Sequence, residues 1–448
     1  MQYRTQALPV NWAAPAYSAT AEKIYVVPQA QAITRFERIF TVLALLFLTE
    51  PLIMLFKQQD PRYGMNYETG DLFTQVILFG MYVVTFYLMR RANLSFKLLL
   101  QNKLIFSLLV LAAISAVWSE VPDIVLRRTV ALVGTTVFGV YFGLRYSVSQ
   151  QLKLLAAALG IAALGSLFFV VLFPQYGIST DLDKHAGAWR GIYVNKNVLA
   201  RVMALGSAVF LILGFSERRW IRWGGFFLCM GMLAMSTSMT GAIVLVGLTG
   251  LVTLYWMIGR PYFVSNPGSV KPFVVFALLV ALLAGVVIAM NLQDMLKAIN
   301  RDPTLTGRTD LWSAVSDMIS DHPLLGYGYA SFWREEEGPS LAVWRHVHWA
   351  VPNAHNGFLD LILDMGYLGL AIFALSWFGT LRKSLNRMLQ THTWEQFWPF
   401  LFLIFLVLYN LTEAALVRRN NILWTLYVAV AYRLSMTPSG ATVTVERR

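Results

Sequence analysis

The chain has 448 residues, of which 57% are hydrophobic and only 13% charged, with a mean hydropathy of +0.56. That composition excludes a soluble globular protein of this size and predicts an all-α polytopic membrane protein. A formal net charge of +12 would suit nucleic acid in a soluble protein, but here the lysines and arginines fall mainly between apolar runs, with no basic stripe of interleaved aromatics, so no nucleic-acid partner is expected. The lone Cys229 excludes an intramolecular disulfide and a cysteine-based metal site.

Residues 1–35 are polar and Pro/Ala-rich and read as a disordered cytoplasmic tail. Apolar runs of about the 20 residues that a bilayer core takes then recur at 38–56, 72–89, 104–119, 129–145, 154–173, 196–215, 224–238, 241–258, 273–290, 359–380, 397–412 and 420–434. These are twelve expected spans: nine within 36–290, then a large loop at 291–358, three more within 359–434, and a cytoplasmic tail at 435–448. The run 224–258 carries Ser236-Thr237-Ser238-Met239-Thr240-Gly241 at its middle, a turn signal that predicts two helices rather than one long one. Lysines and arginines are more abundant on the side of the N-terminus than in the short loops opposite, which predicts both termini inside and the large loop outside.

The polar chemistry is concentrated in that loop. From Arg308 to Asp321, Leu311, Val315, Met318 and Ile319 recur at helical spacing, which predicts a short amphipathic helix lying on the membrane surface or on the spans. Arg308 stands at its dipole-positive start, a place that favours an anion; pairing with Asp310 or a lipid headgroup is the structural alternative. His355, followed by Asn356, can exchange a proton near neutral pH where the loop re-enters the membrane, although a structural hydrogen-bonding role fits a lone histidine as well. His346 and His348 lie close by in sequence, but no acidic residue stands at a metal-ligand spacing such as HExxH, so no metal site is expected.

An earlier outside loop, Trp189 to Asn197, runs straight into a span and holds Arg190 and Lys196 at the start of that helix. Arg201 lies roughly 9 Å below Asn195 at 1.5 Å per residue. A charge at such depth calls for a partner or a wet cavity, snorkelling being the bland alternative. Arg190, Lys196, Arg201 and Arg308 could therefore line one anionic pocket.

His355-Asn356, nine residues, then Gly366-Tyr367-Leu368-Gly369 resembles the H-N-x9-G-x-x-G signature of the O-antigen ligase and polysaccharide polymerase superfamily. Gly307-Arg308-Thr309-Asp310-Leu311-Trp312, His322-Pro323-Leu324-Leu325-Gly326-Tyr327-Gly328 and Arg190-Gly191 to Lys196-Asn197 are similar to other segments of that family. Trp118-Ser119 with Arg127-Arg128, and Thr412-Glu413, resemble its exopolysaccharide polymerase (ExoQ-like) branch. One departure is Ser238-Met239-Thr240, a turn in which many relatives carry a basic residue.

The resemblance implies a GT-C-like fold and an inverting, metal-independent and cofactor-free glycosyl transfer at the periplasmic face of a bacterial inner membrane. It implies an undecaprenyl-pyrophosphate-linked oligosaccharide donor, a saccharide acceptor, and a chain-length regulator and flippase of the same pathway as further partners. On that reading Arg190 and Arg308 stabilise the leaving pyrophosphate, and His355 is the general base. Lys196, Asn197, Arg201 and Asn356 bind substrate, while Tyr327, Tyr329 and Trp333 stack on sugar rings. A ligase that moves chains to lipid A or protein shares donor and site, so the acceptor separates the two. A secondary transporter is the rival of another class, weakened by having one large loop and few acidic residues inside spans, of which Glu50 before Pro51 is the main one.

Overall fold

The computed structural model describes residues 32–51, 72–179, 186–258, 308–334 and 338–436, with a short antiparallel strand pair at Gln59–Asp60 and Gly64–Met65. Helices dominate: α1 Arg35–Phe47, α2 Leu72–Arg91, α3 Lys103–Ile114, α4 Pro122–Arg145, α5 Val148–Leu172, α6 Lys196–Glu217, α7 Trp220–Met235, α8 Met239–Ile258, α9 Arg308–Asp321, α10 Ser340–Val347, α11 Gly357–Thr391, α12 Trp394–Asn410 and α13 Ile422–Ser435. Their starts follow from side chains that satisfy the free N–H groups of the first turn. Thr34 with Glu37, and Ser147 with Gln150, form capping boxes, and Asn195, Asn356 and Asn421 accept from the first turns of α6, α11 and α13.

Five described helices, α4, α5, α6, α8 and α11, are long and apolar enough to cross a membrane, and α7 and α13 are shorter apolar helices. The architecture is that of a polytopic membrane protein. Eleven of the twelve expected spans overlap a helix, and the expected span at 273–290 lies outside the described residues. The run 224–258 divides as its polar centre predicts, with Ser236 closing α7 and Ser238 accepting from the N–H of Gly241 in α8.

The first expected span departs most from its sequence reading. α1 stops at Phe47, the chain turns, and Glu50 adopts a positive φ of 66°. Pro51 supplies no N–H to continue the ladder and disfavours helical backbone before it.

α6 is the axis of the bundle, buried along most of its length and packed against α5, α7, α8 and α12. α4 pairs with α13, and α11 packs on α3 and α12. The start of α1 is tied to the end of α4 by Glu37 and Arg145, 2.6 Å apart with both side chains almost fully buried.

α11 is broken at Gly366, whose φ of 65° and ψ of −173° interrupt the helix. The segment His322–Gly328 fills the break. The N–H groups of Tyr327 and Gly328 donate to the carbonyls of Leu363 and Asp364, at 2.8 and 3.1 Å, and those of Tyr367 and Leu368 donate to the carbonyls of Pro323 and Leu324, at 2.8 and 3.2 Å. A Cβ at Gly366 would collide with the Leu324 carbonyl, and one at Gly326, where φ is 66°, would stand 2.5 Å from the Leu363 oxygen. The two glycine-bearing motifs are therefore one structural unit, with glycine where two backbones meet.

Candidate active site

The turn that carries His355 is built by its neighbours. Asn353 Oδ1 accepts from the His355 N–H at 2.9 Å, Asp360 Oδ1 accepts from the Ala354 N–H at 2.9 Å, and Asn356 caps α11. Between two committed asparagines, His355 takes a left-handed φ of 48°. Its ring lies 6.4 Å from that of Trp349, nearly parallel, and its side chain is 21% exposed. α9 braces the same turn through Trp312, whose Nε1 donates to the Ala354 carbonyl at 2.9 Å. The expected apolar stripe of α9 is buried at Leu311, Val315 and Ile319, against Phe332, Val351 and Leu363, so this helix rests on the protein itself.

Glu413 joins the two principal candidates. One carboxylate oxygen lies 3.4 Å from a terminal guanidinium nitrogen of Arg308, and the other lies 3.6 Å from His355 Nδ1. Arg201 approaches from α6. It is 4% exposed, one terminal nitrogen stands 3.6 Å from Glu50 Oε2, and its Nε and that same nitrogen make no hydrogen bond. A buried guanidinium with unmet donors is a site for an anion.

Glu50, Arg128, Arg201, His355, Asp364 and Glu413 line one cavity of about 210 Å³, and Arg308 lies behind its wall, tied to it through Glu413. Asn197 lines it while accepting from the Ser238 hydroxyl at 3.2 Å, which places the basic-poor turn 238–240 beside the site. Tyr329 and Trp333 also line it. The Tyr329 hydroxyl donates to the Val417 carbonyl at 2.9 Å, and Trp333 Nε1 donates to Asp360 at 2.9 Å. Burial raises the Tyr329 phenol above its ordinary pKa, and the same effect lowers Arg419, which lines the cavity from the 411–421 loop.

Five expected residues stand apart from the cavity wall: Arg308, which meets it through Glu413, and Arg190, Lys196, Asn356 and Tyr327. Arg190 gives its guanidinium to the backbone carbonyls of Tyr176 and Gln175, at 2.9 and 3.3 Å. Lys196 reaches the Thr237 hydroxyl at 3.5 Å. Asn356 is the cap of α11, its Oδ1 accepting from the N–H of Phe358 at 2.9 Å. Tyr327 is pushed up to about 12 by burial, with Asp321 and Glu120 adding to the shift, and donates to the Met318 carbonyl at 2.9 Å.

Residues 224–374 match the family model described as O-Antigen ligase. Over that stretch the chain is similar to the O-antigen ligase family. It is 26% identical over 299 residues to the "Exopolysaccharide production protein ExoQ" of Rhizobium meliloti (strain 1021), covering 63% of this chain and 66% of that protein. It is also 31% identical over 100 residues to a protein of Rickettsia prowazekii (strain Madrid E) named as a polysaccharide ligase, covering 22% of this chain and 24% of that protein. In each case the alignment spans less than two thirds of the relative's length. The domain match takes in α9, the His355 turn and the Gly366 break, together with the turn at 236–241.

Sequence reasoning gave no catalytic role to Glu413 or Glu50, and none to Arg128, Asp360 or Asp364. A signal was present for three of these: Glu50, Asp360 and Asp364 are ionisable residues inside apolar runs, which mark functional cavities. Glu413 and Arg128 lie at the ends of such runs, where charge is ordinary, and only the resemblance of Arg127-Arg128 and Thr412-Glu413 to the ExoQ-like branch singled them out.

Proposed function

We propose that this cavity passes a saccharide from an undecaprenyl-pyrophosphate carrier to the hydroxyl of a second saccharide, building an exopolysaccharide at the periplasmic face of a bacterial inner membrane. The observation that carries the reading is the meeting of His355 and Arg308 on Glu413, beside the unbonded guanidinium nitrogens of Arg201.

The acceptor oxygen attacks the anomeric carbon as the bond from that carbon to the pyrophosphate oxygen breaks, and the electron pair leaves on the pyrophosphate. The acceptor proton passes to Nε2 of His355, since Nδ1 faces Glu413. Glu413, 3.6 Å from Nδ1, favours the imidazolium that forms, as a carboxylate behind a histidine does. Arg201 and Arg308 meet the charge that grows on the leaving group, each such donor contributing on the order of 10²–10³ in rate. Attack opposite the leaving group inverts the anomeric centre. Tyr329 and Trp333 offer ring faces to the sugars, Asn197 adds a polar contact, and Arg190 and Lys196 supply positive charge outside the cavity wall. No divalent ion is required when guanidinium groups carry the counter-charge, so EDTA leaves the activity of the purified protein intact; strict dependence on a divalent ion overturns this part.

Both termini lie in the cytoplasm in this proposal, and a flippase and a chain-length regulator work on the same carrier. The polymerase reading takes support from the similarity to ExoQ over 63% of the chain. The ligase reading takes support from the O-Antigen ligase model and the name of the Rickettsia protein. Deleting the gene separates them: loss of long polymer with lipid-linked single repeats remaining supports polymerisation, whereas accumulation of long lipid-linked chains supports ligation. Unchanged polymer and unchanged lipid-linked sugars contradict both.

A further inference from the structure

A second and larger cavity, about 610 Å³, opens at the other end of α6, between the end of α6, the start of α7, the end of α8 and the start of α12. Its size lies within the roughly 300–1,000 Å³ of ligand pockets. α6 has 22 residues, about 33 Å at 1.5 Å per residue, so the two cavities stand about one bilayer core apart. The transfer chemistry makes no use of this one.

Its walls are aromatic and hold one cation, Arg218, and one carboxylate, Glu395, while the charge around it is positive on balance, Arg218, Arg219, Arg222 and Lys153 against Glu217 and Glu395. Phe215 and Trp394 stack at 4.7 Å, and Tyr255 meets Trp394 edge-on at 4.9 Å. Ser216 holds Glu395 by a hydrogen bond. Next to the cavity, Glu217 is already bridged by Lys153 at 3.1 Å and Arg222 at 2.7 Å. Among the described residues, neither Arg218, which lines the cavity, nor the adjacent Arg219 has a carboxylate within ion-pair distance. The rim is apolar and outward-facing: Trp220 is 82% exposed, Trp256 62% and Ile221 56%. Exposed tryptophans at helix ends mark the headgroup level of a bilayer.

We propose that this cavity binds the headgroup of an anionic phospholipid. Arg218 takes the phosphate, the aromatic wall covers the glycerol backbone, and the exposed Trp220, Ile221 and Trp256 contact the first acyl carbons. A basic pocket between helices is the recognised form of such a site. A soluble anion would satisfy Arg218 but would bury none of the aromatic and apolar surface around it.

Native mass spectrometry of the full chain, released from detergent after incubation with dioleoylphosphatidylglycerol or dioleoylphosphatidylcholine, tests the assignment. The wild type is expected to retain phosphatidylglycerol in preference to phosphatidylcholine. Arg218→Gln weakens that retention about fivefold, Arg218→Glu weakens it further, and Arg218→Lys preserves it. Arg345→Gln, at an exposed position of α10, leaves it unchanged. Equal retention of the two lipids, wild-type retention by Arg218→Glu, or an equal loss in Arg345→Gln overturns the site. Displacement of the lipid by soluble glycerophosphate would show that the anion alone is recognised, and would overturn the lipid assignment. Activity need not change in any of these arms, so the result stands apart from the glycosyl-transfer reading.

Discussion

Two loops lead into capped helices, and they use the same backbone device to opposite effect. Before α6, Asn195 caps the helix and the charged residues beside it are not part of the cavity wall, Arg190 reaching the carbonyls of Tyr176 and Gln175 and Lys196 the hydroxyl of Thr237. The cationic group that reaches the cavity comes from further along the helix, at Arg201. Before α11, Asn356 caps the helix and the residue just ahead of it, His355, is turned into the cavity. An asparagine cap fixes where a helix begins, while the direction of the neighbouring side chain depends on what braces the loop: Trp312 and Asp360 for His355, the turn at 174–177 for Arg190.

That contrast can be broken most severely at His355. His355→Ala should lower the rate of transfer by about 10²–10⁴ while the protein stays in the membrane; polymer at wild-type level in cells carrying it would refute the role. Arg308→Ala and Arg201→Ala come next, each expected to cost about 10²–10³ in rate, measured as initial rate on a lipid-linked donor. Arg190→Ala should cost clearly less than either, about tenfold or below, because its guanidinium is held by the carbonyls of Tyr176 and Gln175, whereas that of Arg308 meets Glu413 in the cavity wall; a loss equal to that of Arg308→Ala would show that the Trp189–Asn197 loop closes over the substrate.

The caps sharpen the comparison further. Asn195→Ala and Asn356→Ala should each destabilise by about 1 kcal/mol, read as a lowered thermal midpoint, and Asn356→Ala should depress turnover more, through the His355 turn, than Asn195→Ala does through Asn197. Gly366→Ala places a Cβ against the Leu324 carbonyl and should destabilise by about 1–3 kcal/mol, with His322–Gly328 becoming more susceptible to proteolysis.

Much of this was legible in the sequence where one residue or one period decides the outcome. The stripe Leu311, Val315 and Ile319 is buried as its spacing requires, and the Ser236–Gly241 cluster divides 224–258 into two helices. His355, Arg201 and Asn197 line one cavity with Tyr329 and Trp333. What local pattern does not carry is the pairing of residues far apart in the chain. Glu413 meets a histidine 58 residues before it and an arginine 105 residues before it, and Glu50 meets Arg201 across the bundle. The end of α1 at Phe47 was hidden because the apolar run continues past the proline that stops the helix.

The most direct test of the account is to incubate the purified full-length protein with a defined undecaprenyl-pyrophosphate oligosaccharide and size the products, comparing wild type with His355→Gln and Glu413→Gln. The account predicts glycan longer than one repeat from the wild type, almost none from His355→Gln, and a reduced yield from Glu413→Gln. Extension by His355→Gln at the wild-type rate, or no transfer from the lipid pyrophosphate by the wild type, would contradict it.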